Sequence, residues 1–166
     1  MIDSILLIMK TIKATLSDID TIMNMIEKGR EHIQDYHIEQ WINGYPSKDV
    51  IIEDINNNRG YVLLDDEEIV GYYVVLNYDE CYENIEGKWL SDEPYVAIHR
   101  TVTKDFNKGL GSKMFDEIKK EYKHIRVDTH EGNVSMNKCL LKNNFKYCGI
   151  IHIKDGSPRN AYEYIE

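Results

Sequence analysis

Cysteine is scarce in this 166-residue chain, with three in all, and the absence of any cluster is informative. Cys81, Cys139 and Cys148 are odd in number, far apart and without the paired-histidine spacing of a metal site. A disulfide framework is excluded, and a reduced, cytoplasmic setting is the expectation. Long apolar runs are also missing. The stretch Ile5, Leu6, Leu7, Ile8, Met9 is too short to span a bilayer, has no basic residue ahead of it and no small-residue cleavage site behind it. It reads as the start of a first strand over residues 5–14, and either Met1 or Met9 serves as the start of the chain. Positive charge is in deficit: 20 Lys and Arg stand against 29 Asp and Glu, for a net charge of −9. Phosphate backbones are bound by basic surfaces, so nucleic acid is excluded as the main partner. A membrane is not expected either. Internal repeats, low-complexity tracts and linkers are lacking, and with 42% hydrophobic residues the chain is expected to form one domain, 1–166, around one core.

What is present alternates between strand and helix. Ser17 is the expected N-cap of a first helix, with Ile19, Ile22, Met23 and Ile26 at helical spacing on one face. Residues 29–46, rich in His, Tyr, Gln and Trp, have no steady period and read as helix end plus loop. Ser47 caps a second helix through Ile55, stopped by the Asn-rich run before Gly60. Strands over 61–64 and 68–78 flank the acidic turn Asp65, Asp66, Glu67, the pattern of a hairpin. A polar excursion over 79–94 is longer than the usual connection. A strand over 95–102, a glycine turn and a helix to about Tyr122 follow, then a strand over 125–129, a helix over 133–143, and strands over 147–153 and 161–165. These elements make one mixed α/β domain.

The glycine turn is the most informative stretch. Lys108, Gly109, Leu110, Gly111, Ser112 join a strand to a helix. Such a turn leaves backbone N–H groups unpaired at the positive end of the helix dipole, which suits a phosphate. It is not a P-loop, because two glycines one residue apart followed by Ser112 and Lys113 do not give the required spacing or order.

The order of elements, with the segment Phe106, Asn107, Lys108, Gly109, Leu110, Gly111, resembles the GCN5-related N-acetyltransferases over nearly the whole chain. Their pyrophosphate loop has Arg or Gln, two residues, Gly, one residue, then Gly or Ala. Both glycines match, and Phe106 replaces the leading Arg or Gln. Asn133 and Phe145 stand at the spacing of the family's late helix, with Met136 and Leu140 between them on one face. The resemblance implies a central mixed, mostly antiparallel sheet flanked by helices on both faces. It implies acetyl-CoA as donor, an amine as acceptor, and allows a homodimer. Thr101, Val102, Thr103, Lys108 to Lys113 and Asn133 would then hold the coenzyme, with Asn133 reaching the pantetheine arm. Asn133 reads equally as an ordinary helix N-cap.

For chemistry, His99 is the candidate base, since an attacking amine must lose a proton and histidine titrates in the useful range. It reads equally as a packed strand residue. Strand alternation would put it on one face with Thr101, whose N–H is the candidate oxyanion donor. Many relatives carry a tyrosine seven residues after the Asn to protonate the departing thiolate, and this chain has Leu140 there. Tyr162, Tyr164 or water are the substitutes. Trp41, Tyr45, Tyr78, Glu80 and Trp89 are candidate lining residues for an ammonium group. The implied activity is acetyl transfer to a primary amine of a small molecule or protein. A coenzyme A-binding module without efficient chemistry is the alternative that Leu140 raises.

Overall fold

The computed structural model describes residues 8–166, so the start of the first expected strand lies outside the described residues. Among the described residues, eight strands form one sheet in the order β1-β2-β3-β5-β6-β8-β7-β4. They are β1 (Met9–Lys13), β2 (Gly60–Asp65), β3 (Glu68–Leu76), β4 (Glu86–Gly87), β5 (Val96–Thr103), β6 (His124–Thr129), β7 (Lys146–His152) and β8 (Pro158–Ile165). Every neighbouring pair is antiparallel except β5 and β6. The sheet is mixed and mostly antiparallel, as expected.

Helices α1 (Ile19–Gln34) and α2 (Lys48–Asn56) cover one face, and α3 (Leu110–Glu121) and α4 (Val134–Lys142) the other. On α1, Ile19, Ile22, Met25 and Ile26 are buried against Val62, Tyr72, Val74 and Val102 of the sheet. The expected Ser17 cap is corrected. A 3-10 turn over Leu16–Asp18 precedes the helix, and the Asp18 carboxylate accepts the Thr15 N–H at 2.8 Å, so the acidic side chain closes the turn one residue beyond Ser17. The expected cap on α2 is present, with Ser47 Oγ accepting the Val50 N–H at 3.3 Å. The hairpin between β2 and β3 turns on Asp66, at φ +57°.

The excursion after β3 is more ordered than its polarity suggests. It contains a 3-10 turn (Glu80–Tyr82) and β4, which pairs with β7 at the sheet edge. Tyr82 is buried there with Ala97, Ile151 and Ala161. The segment is fastened from below by Arg126 of β6, which lies between the rings of Trp89 and Tyr95, 4.2 and 4.1 Å from their centroids. Arg126 also donates to the Ser91 carbonyl at 2.7 Å and to the fully buried Glu163 at 3.3 Å. His124 Nε2 meets the other Glu163 oxygen at 2.7 Å, so the buried carboxylate has charged or polar partners on both oxygens.

Candidate active site

β5 and β6 run side by side only briefly. Among the described residues they pair at Val96 with Ile125 and at Ala97 with Arg126, and nowhere further along. β6 continues to Thr129 in register with β8, while β5 stays with β3, so a gap opens between β5 and β6. Lys104 N–H donates to the Val70 carbonyl at 2.8 Å. Backbone direction alternates along a strand, so the preceding Thr103 amide faces away from β3, toward the gap.

A bulge lies in the same edge. From His99 to Val102 β5 advances three residues while β3 advances two, from Val74 to Tyr72. His99 and Val102 consequently share the face of the sheet that bears α1 and α2, and the simple alternation expected between His99 and Thr101 does not carry through. Arg100, in the bulge, has φ +50°. Its guanidinium forks onto Asp54 of α2 with two hydrogen bonds of 2.7 Å and donates to Tyr45 Oη at 2.9 Å.

At one end of the gap stands the glycine turn. Gly109 caps α3 at φ +76°, a left-handed conformation that glycine adopts without strain. The N–H groups of Leu110, Gly111 and Ser112 form the free first turn of a twelve-residue helix, with exposed Lys108 and Lys113 on either side. This donor set fits a pyrophosphate. Gly111 has a second role: a Cβ there would lie 3.1 Å from Cys139 Sγ, so its smallness lets α3 and α4 approach closely. Ser112 Oγ accepts from Asn143 Nδ2 at 3.0 Å and ties the two helices together. Phe106 stacks on His32 of α1 rather than reaching toward the turn.

Beside the gap, on the face of α1 and α2, is a polar cluster. His99 Nε2 lies 2.8 Å from Asp79 Oδ2, with the carboxylate off the direction of a straight N–H bond. Burial raises the Asp79 pKa, but the His99 imidazole beside it and the hydrogen bond from the Cys81 N–H outweigh that and hold the carboxyl below its ordinary value. Tyr82 Oη donates to Asp128 Oδ2 at 2.6 Å across the cluster, and Tyr95 Oη bridges to the Asp79 backbone. Burial, with the Asp128 charge added to it, pushes the Tyr82 phenol well above its ordinary pKa, so it stays a donor. Sequence reasoning missed Tyr82 and Asp128, which are separated by 46 residues; no local pattern marks the pair.

The other expected residues fall as follows. Thr101 and Thr103 are half-buried on β5, Val102 is in the core, and Thr103 Oγ1 donates to the Asp105 carbonyl at 3.0 Å. Asn133 caps α4 through its Oδ1, which accepts the Met136 N–H at 3.2 Å, and its Nδ2 donates to Gln40 at 3.0 Å, so both ends of its amide already have partners. Trp41 packs on the α1 cluster beside Gly29. Tyr45 is exposed but held by Arg100, Tyr78 is exposed, and Glu80 lies 4.0 Å from Lys154. Trp89 donates to the Tyr82 carbonyl at 2.8 Å. Leu140 is fully buried in the core. Tyr162 Oη donates to Asn137 at 2.6 Å, and Lys119 sits 4.3 Å over the ring of Tyr164. A depression of about 330 Å³ lies beyond Asp79, lined by Glu80, Cys81, Glu83, Asn84, His152 and Lys154.

No family model matches the chain, and no curated protein matches it. Solved structures do. A GNAT-family acetyltransferase from Streptococcus agalactiae is 34% identical, covers 95% of each chain and superposes with a TM-score of 0.87. One from Bacillus cereus is 17% identical over 96% of this chain and 98% of that one, at a TM-score of 0.67. The aminoglycoside acetyltransferase AAC(6')-Ib, solved with ribostamycin and coenzyme A, is 17% identical over 95% of this chain and 93% of that one, at a TM-score of 0.69. The last two likenesses are of fold. The first of the three, 34% identical over nearly the whole of both chains, shows the family. The chain belongs to the GNAT family. Among the described residues no helix is long and apolar enough to cross a membrane.

Proposed function

We propose that this protein is an acetyl-CoA-dependent N-acetyltransferase that acetylates a primary amine by direct attack in a ternary complex. The observation that carries the reading is the gap between β5 and β6, with a free helix N-terminus at one end and the His99–Asp79 pair beside it. Bound acetyl-CoA supplies a thioester carbonyl for the amine to attack. The N–H groups of Leu110, Gly111 and Ser112, with Lys108 and Lys113 beside them, hold the pyrophosphate. The open backbone edge of Thr101, Val102 and Thr103 pairs with the pantetheine arm as a further strand would.

Asp79 sits at Nε2 of His99, which favours the tautomer with the proton there and leaves Nδ1 as the proton acceptor. The amine nitrogen bonds to the carbonyl carbon and the carbon–sulfur bond breaks. The amine proton passes to His99 Nδ1, and water protonates the thiolate, whose basicity is low enough to need no strong acid. The Thr101 N–H is the donor to the developing oxyanion. Holding both reactants in one gap contributes much of the acceleration. The carboxylates of Asp128, Glu80 and Glu83 suit a positively charged acceptor approaching from the side of the depression. The aminoglycosides bound by AAC(6')-Ib make multivalent amines the first acceptors to try.

A thermal-shift comparison of acetyl-CoA, coenzyme A and ATP, followed by thiol release over a panel of amines, tests this. Ligand at 100 times its dissociation constant stabilises by about 2.7 kcal/mol. A flat response to acetyl-CoA, or preference for ATP, overturns the reading. Stabilisation by coenzyme A without thiol release from any amine favours a binding module instead, the outcome that the buried Leu140 in place of a tyrosine would explain.

A further inference from the structure

We infer that Asp54 and Arg100 are positioning residues: their buried ion pair sets the bulge of β5 and, through it, the Thr101 N–H at the reacting carbonyl, with Tyr45 linking the acceptor-side loop to the same guanidinium. The inference rests on the acetyl-transfer reading above.

Arg100 has a Cβ and yet occupies the left-handed region at φ +50°. Residues other than Gly, Asn and Asp avoid that conformation unless their surroundings impose it. Here the surroundings are specific. Both Asp54 oxygens accept from one guanidinium, at 2.7 Å each, in the planar fork that Arg alone can form. Asp54 is 1% exposed and fixed on the last turn of α2, so the anchor is rigid. The third guanidinium contact, to Tyr45 Oη at 2.9 Å, comes from an exposed loop whose Gly44, Tyr45 and Pro46 carbonyls accept from Arg30 of α1. The ion pair thus joins α2, the loop and the bulge, three residues beyond the last pair that links β5 to β6. Arg100 turns toward α2, and the next residue in the chain is Thr101.

The test separates backbone placement from side-chain chemistry. Removing only one partner leaves a buried charge, so both variants start from Asp54→Ala: one adds Arg100→Ala and the other Arg100→Gly. Glycine takes φ +50° freely and alanine does not. If the pair acts by placing the bulge, the Arg100→Ala double variant loses kcat about a hundredfold with KM for acetyl-CoA within about threefold. The Arg100→Gly double variant then recovers at least about tenfold of the lost kcat. Tyr45→Phe, which keeps the fork, raises KM for the amine and leaves KM for acetyl-CoA unchanged.

Equal kcat in the two double variants overturns the inference, because a guanidinium acting on substrate is lost alike in both. So does an unchanged kcat in the alanine variant. If both double variants fail to fold, wild type and Arg100→Lys decide: lysine cannot make the fork, and undiminished kcat in Arg100→Lys refutes the inference. A wild-type chain that releases no thiol fails the acetyl-transfer reading itself and takes this inference with it, whereas turnover in wild type with no difference between glycine and alanine fails the inference alone.

Discussion

The ring of Phe106 lies flat on the imidazole of His32, with centroids 4.1 Å apart and planes 7° from parallel. Phe106 occupies the position where the family motif has Arg or Gln, and it moors the turn to α1. A stacked aromatic pair is worth about 1 kcal/mol. Phe106→Ala is therefore expected to raise KM for acetyl-CoA about fivefold with kcat nearly unchanged, since the free N–H groups remain but their loop loses its mooring. Steady-state thiol-release kinetics at varied acetyl-CoA check this.

The contact of Gly111 with Cys139 gives a prediction with a built-in rescue. A Cβ at 111 would stand 3.1 Å from Cys139 Sγ, close enough that the cysteine side chain must give by a few tenths of an ångström. Gly111→Ala is expected to lower stability by about 1 kcal/mol through overpacking and to weaken acetyl-CoA stabilisation in the thermal-shift assay. Adding Cys139→Ala makes room and should restore both, and a double variant no better than the single one argues against steric origin.

Asp79 gives stability a definite dependence on pH. Its carboxyl is held below the ordinary value, chiefly by the His99 and Cys81 contacts acting against burial, so the folded state binds the proton less tightly than the unfolded one. The stabilisation is therefore fully present above the ordinary aspartate value of about 3.9 and lost as pH falls through the lower folded value. In urea titrations the difference between wild type and Asp79→Asn should be constant from neutral pH down to mild acid and should close in stronger acid. On the proposed reading, in which His99 takes the amine proton, Asp79→Asn should also lower kcat.

Arg126 sits 5% exposed between Trp89 and Tyr95 with its charge against the fully buried Glu163. Breaking such a pair from one side leaves a buried charge, and Arg126→Met is expected to cost about 3 kcal/mol in urea denaturation. Combining it with Glu163→Gln should recover part of the loss. The same variant should make the segment over 88–95 more open to limited proteolysis, since two rings and the Ser91 carbonyl lose their partner.

The thiol of Cys148 is pushed up to about 11 by burial, and burial also raises those of Cys81 and Cys139. All three are expected to react slowly with disulfide reagents at neutral pH, so a thiol-release assay should run with a low protein background. Counting rapidly labelled thiols by mass spectrometry checks it.

The elements that the sequence reveals are those with a period or a punctuation mark. Ser47 and the Asn-rich stop delimit α2, the acidic turn marks the hairpin, and the two glycines with Asn133 and Phe145 point to the family. Each of those signals lies within a few residues of what it specifies. The pairs that the fold brings together beside the gap do not: Tyr82 with Asp128, and Arg100 with Asp54, are each 46 residues apart. The bulge was equally hidden, because an arginine in a strand carries no sign of a left-handed backbone. The ordering of the segment over 79–94 depends on a sandwiched Arg126 and a two-residue strand, both too sparse to register as pattern.

The two pairs joining β5 to β6 are a thin backbone seam for a sheet of eight strands. Cohesion across it comes from elsewhere. Leu63, Val70, Tyr73, Val75 and Ile98 on one side of the seam, and Ile125, Val127 and Tyr162 on the other, pack into a single cluster with Met114, Phe115 and Ile118 of α3. The helix acts as a splint laid across a split board. Because apolar burial under α3 carries the load, the edges of the split can keep their amides unpaired without the two halves of the domain coming apart.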